Sequence, residues 1–185
     1  MKKLLLLATG FVSYFTFAQG LHIQNTTPYN IEYTIWKSNQ SSIGTGCTPL
    51  IESKPATGGL PVLPFSPSPG SVTVEAYYDG NVNLSNTFNP TYPDTPLING
   101  WMLNGSMYNL SATPPQLVPV IFSNVTTWAA MKFSVNNPGG GSIGGYTLGL
   151  GCGSPIALNV SSANPATPFN GTYFTFGGDT WIVLY

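Results

Sequence analysis

The chain has 185 residues, of which only 6% are charged and 42% apolar, and it carries a net charge of −1. It has no arginine, and past residue 18 its only lysines are Lys37, Lys54 and Lys132. These are too few to neutralise a nucleic-acid backbone or to hold an anionic membrane surface. The aromatic share of 13% excludes a disordered chain, because it supplies far more buriable surface than disordered sequences carry.

Residues 1–18 read as a signal peptide. Lys2 and Lys3 precede an apolar stretch from Leu4 to Phe17, and Thr16 and Ala18 are the small residues that a peptidase cutting before Gln19 requires. The apolar stretch is shorter than the roughly 20 residues a spanning helix needs. No cysteine stands nearby to take a lipid, and no later stretch is long and apolar enough to span a membrane as a helix. The short Lys-Lys start is of bacterial type. Residues 19–185 are therefore expected as one exported domain, secreted, periplasmic or held at the cell surface. Export permits oxidation, so Cys47 and Cys152 are expected to pair. Closing so long a loop is worth about 4–5 kcal/mol in chain entropy.

With 21 glycines and 17 prolines along the chain, few windows have room for a helix. Strand patterns recur instead. Residues 21–26 and 30–37 read as a first strand pair. In the second, Ile31, Tyr33 and Ile35 share one face, with Glu32, Thr34 and Trp36 on the other. Residues 53–70 are proline-rich and read as a long ordered loop or edge crossing. In 71–78, Val72, Val74, Ala76 and Tyr78 oppose Thr73, Glu75 and Tyr77. Asp79-Gly80 then has the chemistry of a tight hairpin turn, with 81–88 returning antiparallel. Residues 89–105 are turn-rich. Further strands are expected at 106–111, 117–123, 127–135, 145–150, 155–160, 172–176 and 180–185, the last two joined by Gly177-Gly178. About ten short strands at this spacing imply an all-β, antiparallel sandwich of jelly-roll type.

The motifs that carry chemistry elsewhere fail here on context. Gly140-Gly141-Ser142-Ile143-Gly144 fits a nucleophile elbow, but that device needs a helix after the serine and a downstream histidine, and the lone histidine is His22. His22 itself reads as a hydrogen-bonded structural residue of the first strand. Asp79-Gly80-Asn81-Val82-Asn83 opens like a calcium loop, yet Leu84 and Pro90 stand where glycine and glutamate are required. The glycine-rich stretch 136–153 lacks the Lys-Ser or Lys-Thr of a phosphate loop and reads as flat strand packed on another backbone. One histidine and scattered acids make no zinc site, and neither a metal nor a cofactor is expected. The Asn-x-Ser/Thr sequons from Asn25 to Asn170 are assigned no function.

Two readings lead, a binding module and a structural subunit, ahead of a glycosidase and an outer-membrane barrel. Glycoside hydrolysis would need paired carboxylates beside aromatics, and Glu32 with Trp36 or Glu75 with Tyr77 have that form, though alternation equally sends these glutamates to solvent. The better-supported reading is a non-catalytic module binding a glycan or another surface polymer. Tyr92, Trp101, Tyr78 and Asn81 are its expected contacts, because rings pack on sugar faces while amides and acids bond hydroxyls. The alternative is a self-associating structural subunit, with Thr180–Tyr185 as an ungated strand edge. An outer-membrane barrel is disfavoured, since most runs are too short and are broken by proline.

Overall fold

The strand runs with the clearest alternation build the two inner faces of a sandwich. The structure is a computed structural model describing residues 19–55, 58–164 and 166–185. The signal-peptide reading of residues 1–18 therefore falls outside the described residues. In chain order the strands are β1 (Leu21–Asn25), β2 (Asn30–Ser38), β3 (Leu50–Ser53), β4 (Val62–Leu63) and β5 (Val74–Tyr78). They continue as β6 (Gly100–Leu103), β7 (Ser106–Asn109), β8 (Thr127–Asn136) and β9 (Ser142–Leu150). The last are β10 (Pro155–Ala157), β11 (Gly171–Phe176) and β12 (Asp179–Leu184).

These strands form two open sheets, not a closed cylinder. One has four strands in the order β11-β12-β1-β5. The other has eight, in the order β10-β9-β8-β2-β3-β6-β7 with β4 beside β2. The all-β sandwich expected from the sequence is thus the observed architecture. The residues that alternation grouped on one face of β2, and Val74, Ala76 and Tyr78 of β5, point inward. Ile31, Tyr33 and Ile35 of β2 pair with Val135, Phe133 and Met131 of β8, and all six are buried. From the smaller sheet, Ile23 sits between Ile182 and Ala76. Gly149 lies against the β8 backbone, where a Cβ would fall 2.3 Å from the carbonyl oxygen of Ala129, and its φ of +125° suits glycine. The close backbone packing expected of the glycine-rich stretch is present there.

Several expectations are corrected. Residues 21–26 and 30–37 are not paired; they belong to different sheets. The buried side chain of Asn25 makes the crossing. Its amide donates to the carbonyls of Tyr29 and Pro64, both at 2.8 Å, and its oxygen accepts from the Thr27 backbone and hydroxyl. A buried amide satisfied on all sides stabilises one corner geometry over others. Freed from a hairpin, β1 pairs antiparallel with β5 and parallel with β12, so the sandwich is not purely antiparallel. Strand β12 is consequently flanked on both sides, and Thr180–Tyr185 offers no free edge.

The expected strand at 81–88 is a 3-10 helix, Val82–Asn86. Asp79 accepts the Asn81 N–H and Asn81 accepts the Asn83 N–H, side-chain bonds that compete with a strand ladder. The expected strand at 117–123 is a helical turn, α1 (Val118–Phe122), with Pro119 at its start, where the missing N–H costs nothing. Strand β3 was not expected, and β6 falls inside the stretch read as turns. Cys47 and Cys152 form the expected disulfide, with Cα atoms 5.5 Å apart. It ties the loop after β2 to the turn after β9. No helix among the described residues is long and apolar enough to cross a membrane.

Candidate functional site

The outer face of the four-stranded sheet carries a row of rings, one from each strand. Phe174 pairs with Trp181, Trp181 with His22, and His22 with Tyr77. In-register pairing brings such side chains to about 5 Å. The imidazole of His22 stacks on Trp181, with centroids 3.8 Å apart and planes 3° apart. Phe174 is parallel to Trp181 within 8° at 6.3 Å, and Tyr77 tilts against His22 at 4.9 Å. Gly20 makes room for Tyr77, since a Cβ there would lie 2.5 Å from the phenol ring. The row crosses four strands, about 14 Å at ordinary strand spacing.

Tyr92 closes one end of the row. It stacks on Tyr77 at 4.9 Å and turns an edge to His22 at 5.8 Å. Its loop is pinned to β5, because Thr95 donates its N–H to the Tyr92 carbonyl while its hydroxyl accepts the Tyr77 N–H. At the other end Phe174 is 42% exposed.

Two carboxylates bracket the buried imidazole. Nδ1 of His22 lies 2.7 Å from Glu75 Oε1, and Nε2 lies 3.5 Å from Asp179 Oδ2. A neutral ring donates to one of them; only an imidazolium donates to both. Glu75 also accepts from Gln24 at 3.3 Å, and Asp179 accepts the Gly20 N–H at 2.7 Å. The surrounding field is negative. Burial, followed by the charges of Asp79 and Asp179, raises the Tyr77 phenol above its ordinary value. Burial, followed by Glu75 and Asp179, does the same at Tyr92. Half of the six acids in the chain therefore gather at one face.

Of the four expected contacts, the structure brings only Tyr92 into this cluster. Trp101 is corrected to a core residue: it is fully buried and donates its indole N–H to Ser85 Oγ at 3.1 Å. Tyr78 is likewise on the inner face. Its hydroxyl bonds Tyr33 at 2.6 Å and donates to the Pro96 carbonyl at 2.8 Å. Asn81 caps the 3-10 helix. Glu32 and Glu75 point out from opposite sheets and cannot flank one bond. His22, Tyr77, Phe174, Trp181 and Asp179 were not named as contacts. Alternation had placed Tyr77 and Glu75 outward, but nothing local signals that β1 lies beside β12.

Among the described residues, no group of three or more His, Cys, Asp or Glu is arranged to hold a metal ion. No protein-family model, curated protein or solved structure gives a significant match to the chain. The face has the chemistry to bind a ligand. Its partly exposed rings, Phe174, Trp181, Tyr77 and Tyr92, offer apolar contact to C–H groups around the buried His22, and its carboxylates accept from hydroxyl or amine donors.

Proposed function

We propose that this is an exported, non-catalytic module that binds a neutral or cationic carbohydrate across the outer face of the four-stranded sheet. One observation carries the reading. A sandwich needs polar residues on its outer faces, yet Phe174, Trp181, His22 and Tyr77 form a continuous aromatic row there. Glu75 and Asp179 beside it accept hydroxyl protons. With Asp79, they also repel carboxylated and sulfated sugars. The row's length suits a short oligosaccharide stretch of a surface polymer.

The test is a glycan-array screen of residues 19–185, with hits titrated by tryptophan fluorescence, since Trp181 reports from within the row. Saturable binding that weakens at least tenfold in both Phe174→Ala and Tyr92→Ala supports the proposal. An empty array together with concentration-dependent assembly in sizing experiments replaces it with an extracellular structural subunit.

A further inference from the structure

The aromatic row does not stop at Tyr77. Tyr77 and Tyr78 also line a cavity of about 230 Å³, whose other walls come from the 3-10 helix and the loop carrying Tyr92. Leu84 and Phe88 line it and are 49% and 62% exposed, two large apolar side chains that the core does not use. Opposite in chemistry are Asp79 and Asn89, also in the lining.

The polar walls are held by the backbone. Asp79 Oδ1 accepts the Asn81 N–H at 2.7 Å, and Asn89 Oδ1 accepts the Thr91 N–H at 3.0 Å. That leaves the second carboxylate oxygen of Asp79 as an acceptor and the amide nitrogen of Asn89 as a donor. The 89–95 loop is closed by the Tyr92 N–H to the Asn89 carbonyl and by Thr95 to Tyr77, so the cavity stands preformed. A preformed site loses less ordering entropy on binding.

We infer that this cavity is an end subsite for a sugar bearing an acetamido group, an inference that rests on the carbohydrate reading of the adjoining face. The methyl fits against Leu84 and Phe88, the amide N–H donates to Asp79, and its carbonyl accepts from Asn89. The lining holds no cation and one carboxylate, so an acidic sugar is disfavoured. A plain hexose supplies no methyl, and it leaves the apolar wall facing hydroxyls.

The probes are N-acetylglucosamine and glucose, titrated into the ¹⁵N-labelled protein and followed by amide chemical shifts. N-acetylglucosamine is expected to move the resonances of 84–89 saturably, at least tenfold more tightly than glucose. Phe88→Ser, at an exposed position with little bearing on folding, is expected to remove that response. Equal responses to both sugars, no response at 84–89, or a response insensitive to Phe88→Ser overturns the subsite. The carbohydrate reading fails separately. An array hit that depends on Phe174 without any shift at 84–89 keeps that reading and ends this one. Shifts at 84–89 with an empty array do the reverse.

Discussion

His22 lies flat against Trp181, 3.8 Å between ring centroids, and its two nitrogens face Glu75 and Asp179. Parallel pairing of β1 with β12 creates this contact, and it joins the first described strand to the last. One buried imidazole thereby links three strands of the four-stranded sheet.

Removing that ring leaves Glu75 and Asp179 without their shared partner and takes away the stack. His22→Ala is expected to cost about 2–4 kcal/mol, combining a hydrogen bond to a charged group with an aromatic contact. His22→Phe restores the stacking only and is expected to recover the smaller part. Urea unfolding of the two variants at neutral pH measures the difference.

Lys37 is buried, with its ammonium donating to the carbonyls of Gly80 and Ser123 and lying over the Trp128 ring. Burial lowers its pKa from 10.5 to about 8, against a smaller opposing pull from Asp79. Between those values the unfolded chain binds more protons, so stability rises with pH from about 8 upward, by a total on the order of 3 kcal/mol. Burial holds Tyr33 and Tyr78 well above the ordinary tyrosine range. Ionisation of tyrosines in the unfolded chain therefore reverses the trend above pH 10. Denaturation midpoints across pH 7–11 should peak near 10, and Lys37→Met should remove the rise.

The Tyr33–Tyr78 pair predicts an asymmetry. Tyr33 donates to Tyr78, which donates on to Pro96. Tyr78→Phe strands both the Tyr33 hydroxyl and the Pro96 carbonyl and is expected to cost about 2–3 kcal/mol. Tyr33→Phe leaves Tyr78 bonded to Pro96 and should cost about 1 kcal/mol. Chemical denaturation of the two single variants decides it.

Trp101 and Phe174 should separate stability from binding. Trp101→Phe loses the bond to Ser85 and opens a void, an expected loss of about 2–3 kcal/mol with affinity for any array hit unchanged. Phe174→Ala is expected to leave the unfolding midpoint nearly as it was while weakening that affinity. Paired melting and binding curves check both, and a loss of affinity in Trp101→Phe at a temperature where it is fully folded would count against the assignment.

The alternation in residues 30–37 and, from Val74 onward, in 71–78 (Val72 precedes β5 and is exposed), the hairpin at Gly177-Gly178 and the pairing of Cys47 with Cys152 were legible in the sequence. Each follows from local residue chemistry or, in the case of the cysteines, from the expectation of export raised by residues 1–18. The failures at 81–88 and 117–123 are local as well. There Asp79, Asn81 and Pro119 outweigh β-branched composition, because capping and turn chemistry favour helical turns where no neighbouring strand offers a ladder. The site is a different matter. Its residues come from four strands and one loop far apart in the chain, and strand order is set by which inner faces pack best, a property no short window contains. Alternation thus determined that Tyr77 and Glu75 face outward. Only the tertiary pairing decided that His22, Trp181 and Phe174 stand beside them, while Trp101, in turn-rich sequence, is drawn into the core.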